Sequence, residues 1–209
     1  MIVGYAGAKE LRKRTEGTGG LGFIDSSSGK LIREVVIDAH PESFRLEEKG
    51  TRIFVNVPDN KEIEVVDAEK GTILARWPVT TSKNNFPMSL DEAHHRLFVG
   101  AWTPPRLLVF DTEAGKEIAA MEVGAKGVVN GNMDDLFYDS ARGRIYVLNG
   151  LGSIDVFQQK DPDHYDRIAS YPTPPGSRTG LFVPEWGQLF VGVLQQGTKN
   201  AEVRVYQAN

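Results

Sequence analysis

Cysteine is absent from this 209-residue chain. That absence excludes disulfides, thiolate metal sites, thiol nucleophiles and the C-x-x-C-H attachment of a c-type haem. Histidine occurs only four times, and one His with scattered carboxylates at the candidate positions falls short of the three or four converging ligands of a transition-metal site, so no metal and no cofactor is expected. An excess of basic residues is also missing: 24 Lys and Arg stand against 28 Asp and Glu, for a net charge of −4 and a pI near 5.6. Nucleic-acid and anionic-membrane partners need a basic face, and none is expected here. Long apolar runs are lacking as well; Leu107-Leu-Val-Phe110 is far too short to span a bilayer, and no membrane insertion is expected. No basic segment followed by an apolar stretch and a small-residue cleavage site follows Met1. Helix signals are weak throughout.

What the chain does have is repetition. Arg52-Ile-Phe-Val55, Arg96-Leu-Phe-Val99, Arg144-Ile-Tyr-Val147 and Gln188-Leu-Phe-Val191 are copies of one strand, and their last valines fall 44, 48 and 44 residues apart (99 − 55, 147 − 99, 191 − 147). A period in the forties with several short strands per period is the mark of propeller blades. The sequence predicts an all-β fold, a single β-propeller domain over 1–209 of about five blades, each a four-stranded antiparallel sheet with strands A to D from inside outward. The repeats run roughly 1–40, 41–84, 85–131, 132–176 and 177–209.

The B strands are the four segments above and a degenerate Ile2-Val-Gly-Tyr5. The C strands are Gly22–Asp25, Ile63–Asp67, Leu107–Asp111, Ile154–Gln158 and Val203–Gln207. A repeated turn follows: Asp25-Ser-Ser-Ser-Gly-Lys30, Asp67-Ala-Glu-Lys-Gly-Thr72 and Asp111-Thr-Glu-Ala-Gly-Lys116. Its Asp can accept bonds from backbone amides two residues on, and its fifth-position Gly supplies a positive φ. The fourth copy has a longer turn, Gln159–Tyr165. The D strands are then Leu31–Ile37, Ile73–Val79, Glu117–Val123 and Arg167–Tyr171, and the A strands Ser43–Glu47, Pro87–Asp91, Asp135–Asp139 and Thr179–Pro184. The first copy thus lacks strand A and the last lacks strand D. These ends do not complement each other within one blade, so an incomplete ring is expected, with self-association through exposed blade edges.

The segments "RIYV", "RIFVNVPD", "EIEVVDAEKG" and "DDLFYDSARGRIYV" resemble the YVTN-type, or YncE-like, β-propeller repeat family, broadly WD40-like in architecture. The resemblance covers essentially the whole chain and is weakest in the first copy, where Gly7 to Gly20 is an inserted polar loop. It implies the C-terminal part of a seven-bladed member, with about two blades and a signal peptide missing, and an exported or periplasmic location.

Function in a propeller sits where the D-to-A loops and the first residues of strand A converge. The positions there are His40, Pro41 and Glu42; Asn84, Asn85 and Phe86; Asn132, Asp134 and Asp135; and Ser177, Arg178 and Thr179. The candidate ligand-binding residues are His40, Glu42, Asn85, Asp134, Asp135, Arg178 and Thr179. They form the mouth of a small-molecule, peptide or metal pocket, or else they solvate the channel and cap strand starts. His40 and Glu42, two apart on an extended segment, point the same way. Asp134 and Asp135, being adjacent, point to opposite faces and do not make an acid/base pair. Arg178 either binds an anion or pairs with Asp134 or Glu42. His94, His95 and His164 read as surface turn residues.

Gly17-Thr-Gly-Gly-Leu-Gly22 matches G-x-G-x-x-G formally, but it leads into a strand and offers no helix N-terminus for a phosphate. Phe54, Phe98, Phe110, Tyr146, Phe157 and Phe190 recur at equivalent places and read as blade-to-blade core. Trp102, beside Pro104-Pro105, reads as an exposed-loop residue. The expected function is non-catalytic binding of a small-molecule or protein ligand at the channel face. The alternative, implied by resemblance to lactone-opening propellers, is a lactonase-like hydrolase with His40 as base, Glu42 as acid/base and Arg178 as anion clamp. A haem-associated propeller ranks last.

Overall fold

The structure is a computed structural model that describes residues 1–6 and 19–208. Most of the inserted loop, and the first two positions of the glycine-rich match, lie outside the described residues. The rest of that match opens a strand, as expected.

Two compact units divide the chain, Met1–Thr80 and Thr81–Asn209. The first holds a three-stranded sheet in the order β1 (Ile2–Ala6), β2 (Gly19–Ile24), β3 (Leu31–Ile37), and a four-stranded sheet β4 (Phe44–Leu46), β5 (Arg52–Val57), β6 (Glu62–Asp67), β7 (Thr72–Pro78). The second holds β8 (Asn85–Asp91), β9 (Arg96–Trp102), β10 (Pro105–Asp111), β11 (Lys116–Glu122); then β12 (Met133–Asp139), β13 (Arg144–Asn149), β14 (Ser153–Asp161), β15 (His164–Pro172); then a three-stranded sheet β16 (Gly180–Val183), β17 (Gln188–Val193), β18 (Glu202–Gln207). Every pairing is antiparallel between strands adjacent in sequence. The described helical segments are two short 3-10 turns, Glu92–His94 and Pro184–Trp186. No described helix is long and apolar enough to cross a membrane. Among the described residues the first sheet holds strands B, C and D and the last holds A, B and C, as the repeat count predicts.

The repeated motif has a physical cause. Arg52, Arg96, Arg144 and Gln188 stand directly opposite Asp67, Asp111, Gln158 and Gln207 across the B–C ladder. Arg96 Nη1 lies 3.0 Å from Asp111 Oδ2, and Arg144 Nε donates to Gln158 Oε1 at 3.3 Å. Polar pairing across the strands marks where each B–C ladder ends. In the turn that follows, Asp67 Oδ1 accepts from the Glu69 and Lys70 amides at 2.9 Å each, and Asp111 Oδ1 from Glu113 and Ala114 at 2.8 Å. Hydrogen bonds from Ser27 and Ser28 hold Asp25 down to about pH 2 in its ionisation. Gly29 has φ of 68° with open space around its Cα. Gly29→Ala should therefore cost about 1 kcal/mol through left-handed backbone strain alone, read as a shift in the urea midpoint.

Strands in the middle of the stack are buried on both sides, which is why they read as continuous apolar runs. On β13, Ile145 and Val147 join a core with Phe98, Leu107, Val109 and Phe157. The alternate residues Tyr146 and Leu148 join another with Phe182, Leu189 and Val191. In the first unit Leu21, Val35 and Ile37 pack with Ile53, Val55, Val57 and Val66.

Three local expectations are corrected. The fourth C–D connection is not a long turn: β14 and β15 extend to leave Pro162-Asp163 as a tight hairpin, because Asp161 pairs with His164. Trp102 is not on an exposed loop. Pro105 pairs with Trp102, so Thr103-Pro104 alone make the turn, and the half-buried indole stacks on Phe86 (centroids 4.2 Å apart) and donates to the Met133 carbonyl at 2.7 Å. Phe190 is only half buried, because the face of the last sheet that carries it has no following sheet; the other five recurrent aromatics are buried.

Candidate functional site

Within an antiparallel meander the D-to-A loops and the B-to-C turns fall at one end of each sheet. In the first unit that end carries His40 and Glu42. His40 Nε2 lies 3.5 Å from Glu42 Oε1, as the two-residue spacing predicts, and the Glu42 amide donates to the Asn56 carbonyl at 2.9 Å, tying the segment to the next strand.

The second unit builds a denser group. The pairing of β12 slips between Met133 and Asp135, so Asp134 is the extra residue of a β-bulge and is turned out of the ladder. Its Oδ2 meets Arg178 Nε at 2.8 Å, and Arg178 Nη1 donates to Asn132 Oδ1. Burial raises the Asp134 pKa above the ordinary carboxylate value, and the Arg178 charge offsets part of that rise. A guanidinium has five N–H donors, and these contacts leave some of Arg178's available to a ligand. Asn84 Nδ2 donates to Thr103 Oγ1 at 3.3 Å, and that hydroxyl donates on to Asn130 Oδ1 at 3.3 Å, extending a line of carboxamides along the same end of the unit.

The remaining predicted residues have backbone roles. Asp135 Oδ2 accepts the Gly180 amide at 2.9 Å, fixing the first residue of β16. Thr179 is exposed and its carbonyl accepts the Gly192 amide at 3.0 Å. Asn85 is buried where β8 begins, just before a register slip toward Met88. The structure thus brings His40 to Glu42, and Arg178 to Asp134. A cavity of about 460 Å³ opens at this end of the third and fourth sheets, between Val128 of a D-to-A loop, Leu151 of a B-to-C turn, Ser153 of β14, and Arg167 and Pro172 of β15; none of the seven predicted residues lines it. Of the histidines, His94 Nδ1 lies 2.8 Å from Asp91 Oδ2, and His164 Nδ1 lies 2.8 Å from Asp161 Oδ1, which raises the His164 pKa. Among the described residues no three His, Asp or Glu side chains form a metal-sized cluster.

Sequence reasoning missed a pair of buried carboxylates. Glu64 and Asp155 are both fully buried at equivalent central positions of strand C, each near an arginine of strand D: Arg76 Nε is 3.0 Å from Glu64 Oε1, and Arg167 Nη1 is 4.0 Å from Asp155 Oδ1. The signal was an acid between two apolar residues, Ile63-Glu-Val65 and Ile154-Asp-Val156. It was also missed that Asp91 ties two sheets together: Gln159 Nε2 donates to Asp91 Oδ2 at 3.0 Å and Tyr138 donates to Gln159 Oε1 at 2.7 Å.

Antiparallel A-B-C-D meanders, one per repeat and stacked on one another through apolar faces, define the β-propeller class. Solved structures agree: one titled Kuenenia stuttgartiensis hydrazine synthase matches with a TM-score of 0.67 at 18% identity over 80% of this chain and 46% of that one, and one of the mitotic checkpoint complex with a TM-score of 0.71 at 10% identity over 89% and 57%. The chain is a β-propeller, and it resembles the uncharacterized protein YncE of Salmonella typhi, which is 24% identical over 160 residues, 75% of this chain. This chain spans 42% of that relative's length. No protein-family profile matches the chain.

Proposed function

We propose that this propeller is a non-catalytic binding protein that takes a small molecule or a protein segment at the D-to-A loop end of its sheets. The Asp134–Arg178–Asn132 cluster carries the reading. It presents a preset guanidinium, held by a bulge carboxylate and a carboxamide, beside further asparagines and with no activated nucleophile beside it. Such a group suits a ligand with carboxylate or carbonyl acceptors. A panel of organic acids, sugars and short peptides screened by thermal shift should yield a ligand that stabilises the protein. Arg178→Ala should weaken its binding at least tenfold in calorimetry, the usual scale for losing a charged hydrogen bond. Equal affinity in the variant would remove the site from this cluster.

A second reading rests on the 3.5 Å contact of His40 with Glu42, which is the arrangement of a carboxylate-oriented base. It makes the chain a lactonase-like hydrolase with His40 as base and Glu42 as acid/base. Turnover of a lactone and ester panel, lost in His40→Ala, would favour it over pure binding.

A further inference from the structure

We infer that the cavity of about 460 Å³ between the third and fourth sheets is a second ligand site, which takes a neutral, hydroxyl-rich small molecule of monosaccharide size. It is separate from the Asp134–Arg178 cluster, and both sheets that bound it have all four strands.

The site is built around an acid that the fold does not need. Alternation along β14 sends Ser153, Asp155 and Phe157 to one face, toward the third sheet, where Phe157 joins the core with Leu107 and Val109. Counted back from Gln158 and Asp111 at the ends of the B–C ladders, the place of Asp155 is held in the third sheet by Leu108, which is fully buried. An apolar side chain therefore suffices there. Asp155 is instead a fully buried carboxylate, a costly group to keep without compensation. Its Oδ2 accepts the Gly124 amide at 2.5 Å, but among the described residues no side chain or backbone group bonds its Oδ1. Gly124, Ser153 and Ser170, which stands opposite Asp155 on β15, all line the cavity.

The charge nearest that oxygen is Arg167, whose Nη1 lies 4.0 Å from Asp155 Oδ1 and donates to the Gly124 carbonyl at 2.7 Å. Both contacts use Nη1. The N–H groups of Nε and Nη2 take no partner among the described residues, and Arg167 lines the cavity. The buried carboxylate behind the guanidinium offsets its charge while leaving those donors available. An incoming anion meets attraction and repulsion together, whereas a neutral oxygen acceptor keeps its hydrogen bond.

The rest of the lining outlines what fits. Ser153 and Ser170 carry hydroxyls, each both donor and acceptor, as the hydroxyls of a polyol are. Val128, Leu151 and Pro172 supply an apolar wall for C–H surface. Hydroxyls along one edge and aliphatic carbon across the other describe a polyol ring. The volume falls in the range of about 300–1,000 Å³ usual for small-molecule sites. A close approach shapes the wall: a Cβ at Gly124, whose φ is 77°, would lie 2.6 Å from Asn149 Nδ2, so glycine is what seats the D-to-A loop against the B-to-C turn.

The probes are glucose, galactose, glucuronate and galacturonate, titrated into the isotopically labelled full chain and followed by backbone amide shifts in NMR. At least one neutral sugar should saturate, with shifts at Gly124, Gly152 and Ser170, and its acid should bind at least tenfold more weakly. Arg167→Ala, at an exposed position, should weaken the neutral sugar at least tenfold, the usual scale for losing a charged hydrogen bond. Asp155→Asn keeps an acceptor for the Gly124 amide but leaves the Arg167 charge uncompensated, so it should reverse the order and favour the acid. Leu151 is 47% exposed, and Leu151→Trp should fill the cavity and abolish binding, which keeps the test open should the Asp155 variant fail to fold. The inference is overturned by no saturation with any probe, by tighter binding of the acids to the unaltered chain, or by binding indifferent to Arg167→Ala and Leu151→Trp. It is overturned as well by an unchanged order in a folded Asp155→Asn, or by shifts centred on Asn132 and Gly180, which would move the sugar to the loop-end cluster.

Discussion

Phe98→Ala should destabilise the protein by about 3–5 kcal/mol, the range for deleting a fully buried aromatic side chain and leaving a cavity that the surroundings only partly fill. Phe98 has no exposed surface, and its ring meets Tyr138 at 5.1 Å and Tyr165 edge-on at 5.7 Å, joining the third sheet to the fourth. Deleting it also removes two aromatic contacts, each worth about 0.5–1.5 kcal/mol. Phe190 occupies the same place in its repeat, but its face is uncovered. Phe190→Ala should cost less, about 1–2 kcal/mol in the chain alone, since the half-buried ring, resting edge-on against Trp186, contributes less buried apolar area. Urea denaturation of both variants decides the matter. Equal losses would mean that burial of the last sheet's face, and not the repeat position, had been misassigned.

That pair of residues shows which parts of the structure the sequence makes legible. The motif Arg-Ile-Phe-Val reports a register, arginine opposite aspartate, and an alternation, one apolar residue to each face; both are local properties of paired strands. The turns were legible for the same reason, since Asp67 and Gly71 act within five residues of each other. Whether Phe190 is covered depends on the presence of a neighbouring sheet, which no local pattern records. The fourth C–D connection was misread because Pro162 and Asp163 look like part of a long loop, whereas the strands on either side simply run further.

The candidate site was legible in position more than in role. Asp134 and Asp135 were expected on opposite faces, yet both reach the segment that opens the last sheet, Asp134 meeting Arg178 and Asp135 the Gly180 amide, because the bulge at Asp134 breaks the alternation. A bulge is a one-residue slip of pairing, and it leaves no mark in composition. The buried Glu64 was overlooked because an acid in an alternating strand usually faces water; here the strand that carries it is buried at every position from Ile63 to Asp67.

Glu64 also supports the second large expectation. Its carboxylate has no exposed surface and its Oε2 accepts no hydrogen bond, so Arg76, at 3.0 Å from Oε1, is its main compensation. Burial raises the Glu64 pKa above the ordinary value, with the Arg76 hydrogen bond pulling it back. Arg76→Ala should destabilise the protein by about 3 kcal/mol at neutral pH, the low end for stranding one member of a buried pair, because the Arg76 side is open to water. The pH dependence has a definite sign. A carboxyl with a raised native pKa binds its proton more tightly folded than unfolded, so the native state loses stability as pH rises from the unfolded value of 4.5 through the native one. Removing Arg76 lifts the native value further, so the penalty should shrink as pH falls toward 4.5 and return as pH rises. Adding Glu64→Gln to Arg76→Ala should recover most of the loss and flatten the profile, since the amide keeps the shape without the charge. Denaturation midpoints of the three proteins at neutral and at mildly acid pH test this. A loss that is independent of pH would mean that Arg76 acts through the packing of its aliphatic stem, and that the buried acid is accommodated by other means.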